Sequence, residues 1–409
     1  MKIIPRQKPK LPPDVTRLFL DLLKADKLLE GEHLGQFEHV FATYIGVKHA
    51  MPISSGRLAL YILLKYFAIG QGDEVILPSY TCPVVPSIIV AAGARPVFID
   101  ISPDDLNMNP DLIERSLTRH TKAVVATHIG GHPCDMARII EIGRKHNIKI
   151  IEDCAQALGA EYNGKRVGSI GDVAYFSFAT GKQINTMGGG IITTNDDTLD
   201  SYIREKVSSY LLPNKSSIIK KFMSMYGIHA CMRPILFNVL VFPIIYLSNI
   251  FYKDIINVLF KDKGILAHFS DRPYEKYSNL QAAIGLCHFK SLVDENKKRI
   301  ANSNILNTYL GASIARQKQM NGATPIYLYY TLICNDRSQI KRRLLARGID
   351  TQESWNVSCA SLPLFTQYAI HCSVADRVAQ EALYIPNYPS LNQDTMRSIA
   401  RTVNNMVRA

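Results

Sequence analysis

The sequence predicts an α/β fold in which helices pack around a largely parallel central sheet. Two observations carry that reading. Between about residues 50 and 200, short β-branched runs alternate with helical patterns: Glu74 to Leu77, Pro96 to Asp100, Ala123 to Thr127, Ile148 to Glu152, Val173 to Phe178 and Ile191 to Thr194. Strands alternating with helices in this way build parallel sheets covered on both faces. The chain of 409 residues, 47% hydrophobic and 20% charged, is also long enough to bury a large core and to form two or three domain units.

Taken in order, Ser54-Ser55-Gly56-Arg57 forms a polar turn directly ahead of a helical run from Leu58 to Phe67. Tyr162-Asn163-Gly164-Lys165 carries the Asn-Gly pair favoured in a tight hairpin, so a small two-stranded flap is expected there. After Pro213 an apolar, basic stretch runs to Lys263, and a second α plus β unit follows. That unit is expected to contain a helical run through Leu280 to Leu292, a strand from Ile326 to Ile333, a helix from Arg337 to Arg347 stopped by Gly348, and a closing helix from about Asp394. The expected division is a large unit over 1–212, an insertion over 213–264 and a small C-terminal α+β unit over 265–409.

The formal charge of +12 suits anionic partners, among them nucleic acid, membrane surfaces and phosphorylated small molecules. The basic residues are scattered outside one segment and accompany no nucleic-acid-binding motif, so no nucleic-acid partner is expected. The eight cysteines form no C-x-x-C pair, and the N-terminus lacks the apolar stretch of a secretion signal. A reducing cytoplasm is the expected location, and no metal site is expected.

The informative block is Glu152-Asp153-Cys154-Ala155-Gln156-Ala157-Leu158-Gly159-Ala160, followed by Phe176-Ser177-Phe178-Ala179-Thr180-Gly181-Lys182 and Met187-Gly188-Gly189-Gly190. An acid ending one strand, a serine ending another and a lysine in the next turn can meet at the strand ends, where open α/β sheets bind ligands. Those three groups match the needs of pyridoxal 5'-phosphate (PLP): an amine for the Schiff base, a carboxylate for the pyridine nitrogen and a donor for the phosphate. Lys182, Asp153 and Ser177 would supply one each. The helix start at Gly56 and Arg57 adds a second candidate phosphate contact.

Bland readings stand beside these. Asp153 could be a helix cap, Ser177 a buried strand serine, Gln156 a loop bridge and the glycines 188 to 190 a permissive turn. Cys154 reads as a buried small residue, not a nucleophile, and His128 as a structural histidine at a strand end. Gly159 to Lys165 fits G-x-x-x-x-G-K, but Arg166 replaces the Ser or Thr of a nucleotide loop and the hairpin already explains it.

Together with Gly72-Asp73-Glu74-Val75-Ile76-Leu77-Pro78, Gly93-Ala94-Arg95-Pro96-Val97-Phe98-Ile99-Asp100, His128-Ile129-Gly130-Gly131-His132-Pro133-Cys134-Asp135-Met136 and Leu280-Gln281-Ala282-Ala283-Ile284-Gly285-Leu286, these blocks resemble the DegT-type family of PLP-dependent sugar aminotransferases over roughly residues 30–210 and 266–409. The resemblance implies a fold-type I, aspartate aminotransferase-like architecture. It implies Lys182 as the Schiff-base lysine, Asp153 as the pyridine partner, Gln156 beside the ring, and Ser177 with the Gly56 and Arg57 backbone on the phosphate. It further implies a homodimer with sites between subunits, glutamate as amino donor and a nucleotide-linked keto sugar as acceptor.

The chain also departs from the family. Where an aromatic residue commonly meets the cofactor ring it has Cys82, with Tyr80 two positions earlier as a substitute. Ala179 stands where a His is frequent, and Tyr274 and Lys276 align with a frequent Asn and Arg. A related sugar dehydratase, a non-sugar aminotransferase and a non-catalytic membrane-associated scaffold on the same fold are the alternatives. Retention of Lys182 argues against dehydratases that replace it with His, and the intact lysine, acid and serine argue against a scaffold.

The stretch from Pro213 to Lys263 is an apparent insertion relative to that family. Its seven basic residues (Lys215, Lys220, Lys221, Arg233, Lys253, Lys261, Lys263) outnumber two acids (Asp254, Asp262), a formal +5, and Pro234 to Tyr252 contains no charge. As one helix those residues would span about 28 Å, close to a bilayer's hydrocarbon thickness, but Pro243 interrupts them. A buried cap or dimer element, a hairpin on a membrane surface and a spanning helix are the three readings. Spanning ranks last because it would part the two halves of the fold.

Overall fold

The computed structural model describes residues 3–250 and 274–407. Its centre is a seven-stranded sheet in the order His49–Ile53, Gly190–Thr194, Val173–Ser177, Lys149–Asp153, Thr121–Thr127, Glu74–Pro78 and Arg95–Ile99. The last five strands are mutually parallel, whereas Gly190–Thr194 runs antiparallel to both its neighbours. The six expected runs all fall within this sheet, and the protein has the predicted α/β fold. His49–Ile53, at the sheet edge, is the strand that the expected alternation does not contain.

Side chains alternate across the sheet with the period of two that a pleat imposes. Val125, Ile151 and Tyr175 join one core with the helix Gly56–Tyr66. Their neighbours Val124 and Ile150 join another, with the helix Met136–His146. Covered on both faces, the strands need no polar side and read as apolar runs.

The topology also explains why chemistry collects at one edge. Parallel strands end together, and the antiparallel strand begins where they end: Gly190 pairs with Ser177 and with Ile53. The connection from Phe178 to Gly189 therefore lies over the edge where Asp153 and Ser177 finish their strands.

The expected flap is present: Glu161–Tyr162 pairs with Lys165–Arg166. Asn163 (φ 48°) and Gly164 (φ 76°) both adopt the left-handed conformation that a tight hairpin demands. In the C-terminal part, Tyr330–Ile333, Ala382–Ile385 and Gln352–Glu353 form a three-stranded sheet packed by Arg337–Ala346 and Gln393–Val407. The strand expected from Ile326 is shorter than its apolar run. Tyr327 has φ 48°, and the Ile326 and Tyr329 N–H groups donate to Gly131 and Gly130 carbonyls, so the chain wraps the 128–131 turn before pairing.

The helix Asn279–Tyr309 joins the two parts. Its first turn is fixed by a capping box in which Ser278 Oγ accepts from the Gln281 N–H while the Gln281 carbonyl oxygen accepts from the Ser278 N–H. The 213–250 stretch folds as the helix Lys215–Cys231, capped by Asn214, then Pro234–Leu236, a π-helical turn Phe237–Val241 and Phe242–Ile250. The helix Lys215–Cys231 and the run Pro234–Asn249 meet at a 72° bend. Among the described residues no single helix is long and apolar enough to cross a membrane. Lys253, Asp254, Lys261, Asp262 and Lys263 lie outside the described residues.

Candidate active site

Adjacent carboxylates at the end of Lys149–Asp153 have opposite fates, because successive side chains of a strand leave opposite faces. Glu152, fully buried, accepts backbone N–H groups from Gly168 (2.9 Å), Ile170 (2.8 Å) and Gly171 (2.7 Å). His128 completes the set at 3.2 Å: the Cys134 N–H donates to Nδ1, so Nε2 carries the proton and donates to Glu152. This cluster, which also includes Cys154, offers metal-ligand atom types, yet its carboxylate is already satisfied by structural donors. His128 is therefore structural, as expected, and burial drives the Cys154 thiol well above its ordinary range, which removes it as a nucleophile.

Asp153 faces the other way. It is 4% exposed, and its Oδ1 accepts the Ala155 N–H at 3.0 Å. Burial pushes its carboxyl up, opposed by the Ala155 N–H, by Tyr175 and by the charges of Lys182 and His128. Lys182, in the turn after Ser177, is half-buried; desolvation lowers its amine, while Cys82 and Asp153 act in the opposite sense. Burial also raises the Cys82 thiol, on which Lys182, Asp153 and Arg57 act through their charges. The structure thus brings Lys182, Asp153, Cys82 and Arg57 into one electrostatic neighbourhood.

Ser177 lies beside the start of Gly56–Tyr66. A Cβ placed on Gly56 would sit 3.4 Å from Ser177 Cβ, and one on Gly190 would sit 2.6 Å from the Phe176 carbonyl and 2.7 Å from the Gly56 nitrogen. Gly56, Ser177 and Gly190 therefore converge so closely that glycine is required at 190. Ser55 caps the helix by accepting the Leu58 N–H at 3.1 Å, leaving the first turn's backbone donors directed at the convergence. A helix N-terminus, a serine hydroxyl and a glycine-lined backbone suit a phosphate, and a half-buried amine near a buried carboxylate suits a pyridine aldehyde. The residues present fit PLP.

Two sequence candidates take other roles. Gln156 spends its amide on the scaffold, accepting the Gly130 N–H at 3.0 Å and donating to Asn356 at 3.1 Å. Tyr80, offered as a ring partner, belongs instead to the core. It is fully buried, its hydroxyl donates to Ser354 at 2.6 Å, and burial pushes it up to about 12. The cause is its pairing with Ser358, which fixes it against the C-terminal part and leaves Cys82 as the candidate near Lys182.

Beside Lys182 opens a cavity of about 330 Å³. Arg6, Lys8, Lys10, His229, His288 and Arg299 line it, with Glu295 as the acid. Glu295 pairs with Lys10, and burial pushes Arg299 down to about 10. Tyr329 and Tyr384 stack on each other at 4.3 Å and close another wall. Sequence motifs gave no sign of this basic lining, since it assembles from chain positions hundreds of residues apart. Gln281 was also invisible as a contact: beyond its cap role, its amide donates to the Thr186 and Gly188 carbonyls at 3.1 Å each, tying the helix to the glycine run after Lys182.

An α/β fold with a half-buried lysine and a buried carboxylate at and beyond its strand ends is the arrangement of fold-type I aminotransferase-like enzymes. The chain belongs to the DegT/DnrJ/EryC1/StrS aminotransferase family, whose pattern matches residues 11–231 and 274–404, and it is an aminotransferase. The break in that match, residues 232–273, begins inside the apolar, basic stretch and runs past its end, while residues 213–231 of the stretch are matched. The chain is 43% identical over 185 residues to a GDP-perosamine synthase of Caulobacter vibrioides, a match covering 45% of this chain and 50% of that protein. To a GDP-perosamine synthase of Escherichia coli O157:H7 it is 26% identical, over 92% and 90%. Its fold is similar to that of S. venezuelae DesV, solved with a ketimine intermediate, with a TM-score of 0.75, 26% identity, and coverage of 98% and 100%.

Proposed function

We propose that this aminotransferase uses PLP to move an amino group from an amino acid, glutamate in the first instance, to a keto sugar carried on a nucleotide. The observation that carries the reading is the half-buried Lys182 within the electrostatic reach of the buried Asp153, beside the Gly56, Ser177 and Gly190 cradle. The relatives named for nucleotide-sugar synthesis support the acceptor class. PLP, when bound, supplies an electron sink for the carbanion formed at the substrate carbon.

The chain's own residues do the rest. Lys182 Nζ would hold the cofactor and, when free, would move the proton at the substrate carbon. Burial lowers the lysine's affinity for protons, which suits an amine that must act as nucleophile and base. Asp153 would keep a proton on the ring nitrogen, and its exclusion from water would strengthen that contact. Ser177 Oγ and the N–H groups of Gly56 and Arg57 would bind the phosphate, with Cys82 on the side where an aromatic residue is common. The basic cavity beside Lys182 suits the negative charge of a phosphorylated acceptor. Supporting a homodimer is the family resemblance, and the division into units over 1–212, 213–264 and 265–409 belongs to the same reading.

The test is an absorbance titration of the PLP-loaded protein with L-glutamate, followed by acceptor turnover. The expected result is a visible band that glutamate converts to near-ultraviolet absorbance, and loss of both the band and about 10⁴-fold of the rate in Lys182→Ala. A protein that retains no PLP, or a Lys182→Ala variant with full turnover, would overturn the reading.

A further inference from the structure

Surface helices of soluble proteins turn apolar residues inward and polar ones outward. The run Pro234–Asn249 buries some apolar residues but turns others outward while burying polar ones. Ser248 and Asn249 are buried, spending their side-chain donors on the Ile245 carbonyl at 2.9 and 2.8 Å. Ile235, Val239, Leu240, Ile244 and Leu247 face out, each between 56% and 78% exposed. Of the sixteen exposed large apolar side chains among the described residues, eleven lie between Leu211 and Leu247, so the pattern is a patch and not the usual scatter.

The run is nevertheless anchored. Phe237, Phe242 and Ile245 pack with Leu345 of the C-terminal part, and the preceding helix packs through Ile218, Phe222 and Met225, with Phe222 stacked on Phe19 at 4.1 Å. A half-anchored run with an apolar outer face is built to meet something. Charge identifies the partner: from Pro213 to Ile250 there are four basic residues and no acid, and Lys220, Lys221 and Arg233 are exposed. A second copy of the chain would bring the same positive charge against it, whereas an anionic lipid surface offers apolar depth and opposite charge together.

We propose that residues 213–250 dock the enzyme on a bilayer carrying anionic headgroups, with Ile235, Val239, Leu240, Ile244 and Leu247 entering the interface and Lys220, Lys221 and Arg233 meeting the phosphates. The 72° bend between Lys215–Cys231 and Pro234–Asn249 fits a run lying in the interface and does not fit a straight crossing. The anchoring helix also carries His229, which lines the Lys182 cavity, so the docking element and the cavity share a wall. The inference is independent of the acceptor's identity.

Vesicle flotation of the full-length holoenzyme tests it. The expected result is flotation with phosphatidylglycerol–phosphatidylcholine vesicles, weakened by raised salt, and none with phosphatidylcholine alone. Ile235→Asp with Leu240→Asp and Ile244→Asp should remain unfloated while keeping the cofactor band and the mass in solution. Lys220→Glu with Lys221→Glu, at two exposed positions, should lower binding to the anionic vesicles about tenfold. Absence of flotation by the unaltered enzyme at low salt overturns the proposal, as does unchanged flotation of both variants. A change in oligomeric mass with flotation intact would give the face to a second copy instead.

Discussion

The strand-end site and the 213–250 stretch invert one another. At the site, the Glu152 and Asp153 carboxylates are taken out of water and held by named partners. In the stretch, apolar groups are left in water on a frame that buries serine and asparagine. The first arrangement costs solvation and gains chemistry, since a buried amine and carboxylate act on each other far more strongly than exposed ones. The second leaves apolar area uncovered, and that area remains available for a surface outside the chain.

The comparison can be broken most severely at Glu152. Glu152→Ala orphans three backbone donors and the His128 imidazole in a dry core, so urea unfolding should show a loss of about 3–5 kcal/mol. A loss under about 1 kcal/mol would mean that water reaches these groups and that the dry-core description is wrong.

Lys182 sharpens it at intermediate size. Burial lowers its proton affinity in the folded, cofactor-free protein, so above the folded value the unfolded chain holds more protons than the native one. Stability should therefore rise with pH through the window that ends near the unfolded value of 10.5. The slope is worth about 1.4 kcal/mol for each unit of lowering. Lys182→Met should abolish that slope and be the more stable protein below the window; identical pH profiles would contradict the burial of the amine.

The smallest effect belongs to the other region. Val239→Ser should change the unfolding free energy by about 0.5 kcal/mol or less, because an exposed side chain surrenders little on folding. A loss several times larger would show that the face is already covered in solution.

Much of the site was legible because its parts fall within one stretch of chain. Asp153, Ser177 and Lys182 sit at strand ends or in the turn that follows, and strand ends can be read from apolar runs. Glu152 was passed over: in a one-dimensional reading it is the neighbour of the interesting acid, and only the pleat separates their roles. The pairing of Tyr80 with Ser358 spans nearly three hundred residues, beyond the reach of any local pattern. The basic cavity escaped for the same reason, since Arg6, His229 and Arg299 become neighbours only after the N-terminal segment has folded back across the long helix. In the 213–250 stretch, composition showed the uncharged run but not which face was turned outward.

Gln281 has a mechanical meaning beyond its hydrogen bonds. The helix it opens is 31 residues long and ends among the buried side chains of the C-terminal part, while Gln281 itself grips the carbonyls of Thr186 and Gly188. A stiff rod clamped at both ends leaves little slack between the part of the molecule that could lean on a substrate and the loop that follows Lys182. One continuous helix thus ties the packing of the C-terminal part to the backbone of the loop that carries Lys182.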